Sequence, residues 1–409
     1  MMYRNTGDNV MQSALRFVVL PLVAASVLSR LVVADDVPVA NRDELLAALQ
    51  AAKPGTTILV AAGTYRGGIA QTKLSGTKDR PIVVAAADPK SPPVFEGGGS
   101  GLHLSSPQHV ELRDLVCDGA SGNGLNVDDS GSTDTPAEHL LLRNVVVRNI
   151  GPRGNTDGIK LSGVRDFRLE GCRVERWGSS GSAIDMVGCT NGVVTKCTFV
   201  DARGDMANGV QTKGGSSHIA IERCRFENAG GRAVNAGGST GLAYFRPRDA
   251  TFEAQDISVE DCEFLGGQAA VAFVGVDGAI VRHNTIYRPK RWVFRILQES
   301  TDARFVPCRN GKVENNVVAF RSDEVREIVN VGGNTAPDTF AFSGNAWSCL
   351  DRPQDTRRLV RLPVAEKDAT HGEPPTFADA TQGDVRIRDR KPDAPGVRAE
   401  SPPPSSKTK

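Results

Sequence analysis

The stretch HIAIERCRF, from His218 to Phe226, decides the fold. Apolar and polar residues alternate from Ile219 to Glu222, and Cys224 begins a second short alternation one residue after the first ends. A period of two is typical of a β-strand with one buried face. Between residues 109 and 347 the pattern returns in HVELRDLVC, HLLLRNVVV, DFRLEGCRV, GVVTKCTF, DISVEDCEF, GAIVRHNTI, NGKVENNVV and DTFAFSGNAW.

When these repeats are aligned, one position recurs at a spacing that predicts a solenoid, and we call this position the ladder column. Its members lie 22 to 38 residues apart, and steps in the twenties are typical of one coil of a β-solenoid. Neighbouring coils stack about 4.8 Å apart, so like side chains in one column form ladders. We therefore predict a cysteine ladder followed by an asparagine ladder. The column contains Leu115, Val145, Cys172, Cys197, Cys224, Cys262, Asn284, Asn316 and Asn345.

Neither the cysteines nor the histidines predict a metal site. The eight cysteines include no CxxC pair, so zinc is not expected, and a disulfide between Cys308 and Cys349 stays open. His109, His139 and His218 share one repeat position without a carboxylate partner, so we interpret them as strand-entry residues.

The two ends of the chain predict a signal peptide and a disordered tail. Residues 1–34 combine arginines, an apolar run and a small-residue cleavage point, as a signal peptide does, so we expect a secreted protein. No later segment predicts a membrane span. Residues 397–409, with the stretch ESPPPSSKTK, have the composition of a disordered tail, which leaves one domain over residues 35–396.

The charge balance narrows the class of partner. The formal net charge is only +1, with 49 basic and 48 acidic residues. Nucleic-acid binders normally carry a basic excess, so we expect no nucleic-acid partner. An acidic partner must then meet local positive charge, and we expect the chain to act as a monomer.

The start of the domain carries a family resemblance. Asp43 can cap a short helix, which would cover the open end of the solenoid, and the strand GTTILVAAGTYRG follows. With the coils that follow, this opening resembles the right-handed parallel β-helix proteins of the pectin-lyase-like superfamily. The coil TKGGSSHIAIERCRFENAG is most similar to polysaccharide lyase family six, the alginate and chondroitin lyases. The expected fold is all-β: a single-stranded right-handed parallel β-helix of about ten coils with a short N-terminal capping helix.

A second strand in each coil predicts an exposed polar face. In GLNVD, GIKL, AIDM, GVQTK, AVNA, AVAF and IVNV the flanking aliphatic residues point inward, so the middle residue points outward. Asp128 and Lys213, two places further on, share this face. The outward residues are Asn126, Lys160, Asp185, Gln211, Asn235, Ala272 and, beyond an irregular coil, Asn330.

Insertions beside this face predict a sugar-binding wall. The long step after Cys224 contains Tyr244 and Arg246. Aromatic rings pack on the apolar faces of sugars, and guanidinium groups bind carboxylates. The later insertion RPKRWVFR adds further cations. We therefore expect an acidic polysaccharide as the partner.

These residues suggest β-elimination from a uronate, which needs a group that neutralises the carboxylate, a base and an acid. We interpret Lys213 as the base. The nearby positive charges of Lys160 and Arg232 are expected to make it lose its proton more easily. Arg232 or Arg246 would be the carboxylate clamp or acid. Asp185 and Asn235 would orient the substrate, and Asn126, Asp128, Gln211 and Tyr244 would contact it.

The lyase resemblance implies a catalytic lysine, an arginine on the next coil, and calcium held by an asparagine and two glutamates. Lys213 matches the lysine. The arginine position falls near Asn235, with Arg232 a few residues away, and Asp205 and Asn208 stand in place of the glutamates. The resemblance thus leaves calcium open.

Two alternatives remain from the sequence. NTDGI, residues 155–159, resembles a polygalacturonase motif, but hydrolysis needs paired carboxylates. The next coil supplies Asp185 alone, so we interpret Asp157 as a turn residue at a strand entrance. The other alternative is a non-catalytic β-helix that binds polysaccharide or serves as a scaffold.

Overall fold

The structure is a computed structural model that describes residues 35–132, 134–388 and 394–398. The predicted signal peptide lies outside these residues, as does all of the predicted tail beyond residue 398. The described chain forms a parallel β-helix, in which three long parallel sheets run along the solenoid and every third strand returns to the same sheet. The sheets contain twelve, twelve and ten strands, which confirms the expected all-β fold and number of coils.

The first sheet carries the alternating repeats that open each coil. Its strands are β1 (Asp35–Val39), β2 (Thr56–Val60), β5 (Ile82–Ala86), β8 (Gln108–Arg113), β11 (Ala137–Arg143), β14 (Val164–Glu170), β17 (Thr190–Thr195), β20 (Ser216–Glu222), β23 (Ala254–Glu260), β26 (Val276–Arg282), β29 (Arg309–Glu314) and β32 (Ala341–Ser343).

The second sheet follows the ladder column, and its strands are short. They are β3 (Thr64–Arg66), β6 (Val94–Glu96), β9 (Val116–Asp118), β12 (Val146–Arg148), β15 (Arg173–Glu175), β18 (Thr198–Val200), β21 (Arg225–Glu227), β24 (Glu263–Leu265), β27 (Thr285–Tyr287), β30 (Val317–Phe320), β33 (Ala346–Cys349) and β34 (Thr370–His371).

The third sheet carries the candidate site. Its strands are β4 (Ile69–Thr72), β7 (Leu102–Ser105), β10 (Leu125–Asp128), β13 (Ile159–Ser162), β16 (Ser182–Val187), β19 (Asn208–Lys213), β22 (Arg232–Gly237), β25 (Ala269–Val274), β28 (Trp292–Leu297) and β31 (Glu327–Val331).

The helices are few and short. The α-helices are α1 (Arg42–Ala51) and α2 (Thr356–Leu359), and 3₁₀ turns occupy Leu242–Tyr244, Pro337–Thr339, Pro353–Asp355 and Ala380–Gln382. No helix among the described residues has the length and apolar character needed to cross a membrane.

The N-terminal helix differs from its prediction at the cap. Asn41, in an extended conformation, accepts a hydrogen bond from the Glu44 backbone N–H through its side chain. Asp43, predicted as the cap, lies inside the first turn of α1. Both residue types accept such bonds, but the helix begins at Arg42, which leaves Asn41 at the boundary.

The predicted ladders form in the core, and the asparagine ladder ends at the side chain of Glu366. The Asn316 side chain donates to Asn345 Oδ1 and the Val281 carbonyl at 2.9 and 3.0 Å, while its Oδ1 accepts from the Asn284 backbone and side chain. Asn345 in turn donates to Glu366 at 2.6 Å. Each amide thus satisfies buried groups of two neighbouring coils, which fixes their register.

The structure answers two questions that the sequence raises: whether Cys308 and Cys349 form a disulfide, and what surrounds the histidines. All eight cysteines are free and buried, so Cys308 and Cys349 do not form a disulfide. The His109 and His139 rings stack with centroids 4.2 Å apart. The expected lack of a carboxylate partner is wrong, because ligand atoms of Glu138, His139 and Asp166 lie within 4.8 Å of one another.

The C-terminal segment packs along the solenoid. A two-stranded antiparallel pair, β35 (Phe377–Asp379) and β36 (Asp384–Ile387), follows the last coil. Val397 and Arg398, predicted to start the disordered tail, contact the coils, and Arg398 forms an ion pair with Asp261 at 2.9 Å. The ordered chain therefore extends past residue 396.

We predict that the asparagine ladder contributes more to stability than the cysteine ladder. Asn316→Ala leaves several buried groups on two coils unpaired, which should lower the free energy of unfolding by about 4 kcal/mol. Cys224→Ala removes one sulfur from the core and should cost about 1 kcal/mol. Chemical denaturation followed by tryptophan fluorescence measures both, and an equal or larger loss for Cys224→Ala would contradict the prediction.

Candidate functional site

The third sheet aligns the predicted polar residues in one file. Strand pairing places them in register, as predicted, and adds two members: His103 before Asn126, and Arg295 between Ala272 and Asn330. The file is His103, Asn126, Lys160, Asp185, Gln211, Asn235, Ala272, Arg295 and Asn330.

Two parallel files flank it on the same sheet. Two residues further along the strands, Asp128 and Lys213 share a file with Ser162 and Val187 between them. Three residues before the central file, Asn208 of β19 pairs with Arg232 of β22. The predicted catalytic groups are therefore gathered on neighbouring strands of one sheet.

Two buried carboxylates and two lysines form the centre of the site, the charge cluster. The Lys160 ammonium hydrogen-bonds to Asp185 Oδ2 and lies 3.4 Å from Asp157 Oδ2. Lys213 Nζ lies 3.3 Å from Asp185 Oδ1, which has no hydrogen-bond partner among the described residues. Asp157 also accepts from the Ser182 backbone N–H at 2.7 Å. It thus lies at the entrance of a strand, as interpreted from the sequence, and is also a buried member of the cluster.

Burial and neighbouring charge shift two of these groups. Burial and the charge of Asp185 raise the pKa of Asp157 to about 6, although Lys160 opposes them. Burial lowers the pKa of Lys160, but Asp185 and Asp157 outweigh it, so the net pKa lies above its usual value. Lys160 is therefore a fixed positive charge. Lys213 was expected to be surrounded by like charges, but it also lies beside the carboxylate of Asp185.

The predicted exposure of the central file is wrong for four members. Asp185, Gln211, Asn235 and Ala272 are buried, whereas they were expected to face solvent. Within the charge cluster, the Asp157 and Asp185 side chains are 3% and 1% exposed, while those of Lys160 and Lys213 are 20% and 15% exposed. The carboxylates therefore lie beneath the ammonium groups, and a ligand meets the cations first.

Amide side chains extend the site to Arg232. Gln211 Oε1 accepts from Ser182 Oγ at 3.1 Å and from Asn208 Nδ2 at 3.0 Å. Arg232 donates to Asn235 Oδ1 at 3.2 Å and pairs with Glu299 at 2.5 Å. The amides are thus oriented by the protein, and Arg232 spans the side of the site opposite Lys160.

A buried glutamate fixes the long insertion against Lys213. Glu253 accepts from the Gly214 backbone N–H at 2.9 Å, from both the backbone and the hydroxyl of Thr240, and from Ser300 Oγ. These bonds join two loops into one wall. A Cβ at Gly238 would come within 2.4 Å of Gln211 Nε2 and 3.3 Å of the Lys213 side chain, so glycine lets the chain lie close to both residues.

Arg246 ties down this wall and does not act as the predicted clamp. Its guanidinium forms a two-pronged pair with Asp129, which is 117 residues away in sequence and fully buried, and also donates to the Tyr244 carbonyl at 3.0 Å. A guanidinium occupied by a buried carboxylate has little left for a substrate. The Tyr244 side chain is 65% exposed and remains available as a ring surface.

The other end of the file forms a separate polar group. His103 Nε2 lies 2.6 Å from Asp128 and 3.2 Å from Ser105 Oγ, and Asn126 Nδ2 donates to Asp128 at 3.0 Å. Asp128 and Asn126 are thus held by each other and by His103. They lie on the predicted face, and Asn126 lies beside Lys160 on the adjacent strand.

The residues near Lys213 do not fit the calcium site that the resemblance implies. Calcium takes six to eight oxygen ligands, yet Asp205 is exposed and Asn208 donates its amide to Gln211. The only cluster of three or more potential ligands among the described residues is Glu138, His139 and Asp166 on the first sheet. Between the two buried carboxylates of the site, the Lys160 ammonium supplies the positive charge.

A surface cavity of about 600 Å³ lies away from this site, beside the second sheet and the turn Thr381–Gly383. Its arginines are paired with acids: Arg288 with Glu324, and Arg173 with Glu175. The chemistry-bearing groups therefore occupy an open sheet face and not this cavity.

Sequence reasoning missed four contributors to the site. His103 follows the same alternation, in LHL, as the strands that were recognised, so its signal was present. Asp157 stands directly before the strand that carries Lys160, and a carboxylate at that point was a detectable signal. Glu253 and Asp129 act through loop contacts that have no local pattern.

Comparisons with known proteins give the fold. Residues 94–247 match the family described as right handed beta helix region. Among solved structures the chain is similar to an alginate lyase from Paenibacillus sp. (TM-score 0.52, 16% identity, 74% of this chain and 99% of that one). It is also similar to a PL6 family polysaccharide lyase from Pseudopedobacter saltans (0.50, 13%, 89% and 99%) and to a GH136 lacto-N-biosidase from Eubacterium ramulus (0.52, 10%, 82% and 68%). No curated protein matches the sequence.

The protein therefore has a right-handed parallel β-helix of the pectin-lyase-like type, and its fold is similar to that of family six polysaccharide lyases. At identities of 10 to 16% the likeness concerns the fold alone. Two lyases and a glycosidase share it, so the reaction must be argued from the site.

We predict that Asp157 makes stability fall as pH rises. With a pKa of 3.8 unfolded and about 6 folded, the folded protein binds more protons over this range, so up to about 3 kcal/mol of unfolding free energy is lost between about pH 4 and pH 7. Asp157→Asn keeps the acceptor for Ser182 and removes this titration. Denaturation measured across that pH range should show the free energy of unfolding of the variant rising relative to that of the wild type as pH increases. Parallel pH profiles of the two free energies would refute the assignment.

Proposed function

We propose that the protein is a secreted polysaccharide lyase-like enzyme that cleaves a uronate-containing polysaccharide by β-elimination. The observation that carries this proposal is the layering of the charge cluster, in which Lys160 and Lys213 cover the buried carboxylates of Asp157 and Asp185. With Arg232 on the next coil, the sheet face presents cations to a ligand. A polyanionic chain fits this surface because its carboxylates meet positive charge first.

The roles follow from the geometry. Lys213 takes the C5 proton of the uronate, the C4–O bond breaks as a double bond forms between C4 and C5, and the leaving oxygen takes up a proton from water. Asp185 Oδ1 positions Lys213 Nζ, and Lys160 balances the charge of Asp185. Arg232 neutralises the substrate carboxylate, which competes with Glu299 for its guanidinium.

The remaining parts of the proposal concern the surroundings of the site. Tyr244 offers an exposed ring on which a sugar can pack. Gln211 and Asn235 lie beneath the substrate and orient it through Asn208 and Arg232. Export is part of the proposal, because polyuronates are polymers of cell walls and extracellular matrices, and it is supported by the composition of residues 1–34.

A glycosidase is the second candidate, because hydrolysis uses a pair of carboxylates. Asp157, whose pKa is raised, and Asp185 are two carboxylates joined by Lys160. Both, however, are buried under Lys160, which contacts each of them. Reducing ends without a new double bond would favour this candidate, and retention on a polyuronate column without turnover would favour a binding protein.

We predict that Lys213→Ala abolishes elimination. Purified protein incubated with a panel of polyuronates should produce the ultraviolet absorbance of a C4–C5 unsaturated product, and the variant should be at least about 100-fold slower.

Lys312→Ala is the matched control, since Lys312 is an exposed lysine on the first sheet, away from the candidate site. Its rate should equal that of the wild type. If Lys213→Ala retains full activity, Lys213 is not the base, and if no panel member yields an unsaturated product the lyase proposal fails.

We also predict that chelation leaves the reaction intact. The residues near Lys213 do not form a calcium site, and Lys160 provides the cation between the buried carboxylates. Activity should therefore be unchanged in EDTA and after re-addition of calcium. A loss in EDTA that calcium restores would show that the ligand set has been misjudged.

A further inference from the structure

Several arginines of the described chain have carboxylate partners for their guanidinium groups. Arg246 is paired with Asp129, Arg225 with Glu263 and Arg398 with Asp261. Arg295, on the central file of the third sheet, is different. Its Nε donates to Asn330 Oδ1 at 3.1 Å, but its Nη1 and Nη2 have no hydrogen-bond acceptor among the described residues.

This open guanidinium is held in a fixed orientation. It lies over the Trp292 ring, 4.0 Å from the centroid, and the Trp292 indole N–H donates to Glu327 at 3.2 Å. A stacked guanidinium with its Nε engaged loses little freedom when its outer N–H groups bind a ligand. The two outer nitrogens form the planar fork that suits a carboxylate.

The local charge favours an anion at this point. Burial, followed by the charge of Arg232, lowers the pKa of Arg295 to about 10, and Glu299 only partly offsets them. The positive charge of Arg295 is therefore poorly compensated by the protein. The preceding member of the file is Ala272, a small buried residue, so the file has no charged side chain between Arg295 and Asn235.

We propose that Arg295 binds a second carboxylate of the same uronate chain, in a distal subsite along the solenoid axis. Arg295 lies three coils from Gln211 and Lys213, or about 14 Å at the usual strand spacing. An extended pyranose chain advances by about one coil for each sugar, so the subsite would hold a uronate roughly three sugars from the bond that is cleaved. This inference rests on the proposed function and specifies the length of substrate that the site requires.

The kinetic test compares oligouronates that are too short to reach Arg295 with longer ones. Arg295→Gln should raise KM for the long oligomers about tenfold or more, as expected for loss of a charged hydrogen-bonded pair, and leave kcat and the short oligomers unchanged. Arg295→Lys, which keeps the charge but not the fork, should show a smaller rise. Arg309→Gln is the control, because Arg309 is paired with Asp277 on the first sheet, away from the candidate site. Equal effects at every length, or none, would overturn the subsite.

A binding test separates this inference from the proposed function. Calorimetry measures binding of an uncleaved polyuronate to full-length Lys213→Ala, with and without Arg295→Gln, and a neutral polysaccharide serves as the reference. Thermal unfolding checks that both proteins are folded. Weaker binding with Arg295→Gln supports the subsite even if no elimination occurs. Unchanged binding overturns the subsite while leaving the lyase proposal standing, and no binding by either protein overturns both.

Discussion

Parallel register between coils is the constraint on which the rest of the structure depends. The contacts of Asp185 in the charge cluster join different coils: Asp185 meets Lys160 of the coil before it and Lys213 of the coil after it. Since side chains alternate between the two faces, a shift of one residue in either pairing would turn one partner into the core. The buried asparagine ladder opposes such shifts, because each amide bonds to two coils at once. A feature of the core thereby determines the geometry on the surface.

Burial explains why the site needs so many cations. A carboxylate removed from water is costly unless it is paired and hydrogen-bonded. Asp157 and Asp185 are nearly inaccessible, and neither has enough backbone donors to compensate its charge. Lys160 is shared between them, and Lys213 approaches the oxygen that is left. This arrangement favours Lys213 over Lys160 as the reactive lysine, because Lys160 is held by two carboxylates and Lys213 by only one oxygen.

The sequence was sufficient for the parts of the structure that repeat. Alternation and the column of like residues predict the parallel β-helix, the ladders and the alignment of Asn126, Lys160, Asp185, Gln211 and Asn235. It was insufficient where loops return from a distance, since pairing of Arg246 with Asp129 spans 117 positions and has no periodic signal. The burial of Asp185 and Gln211 was missed for the same reason. Alternation predicts which face a residue occupies, whereas the cover over that face depends on how the insertions fold.

The distribution of paired charges indicates where the function lies. Basic and acidic residues are almost equal in number, and many arginines on the first and second sheets lie within ion-pair distance of an acid on their own or a neighbouring strand, as Arg282 does with Glu260. Such pairs contribute little to stability at the surface, but they cancel the field that would attract a polyanion. Along the third sheet the cancellation is incomplete. Lys160 and Lys213 cover their acids, and Arg295 keeps an open fork. A nearly neutral protein can thus attract a polyanion along one face, and the alignment of these cations with the solenoid axis suits an extended chain better than a compact ligand.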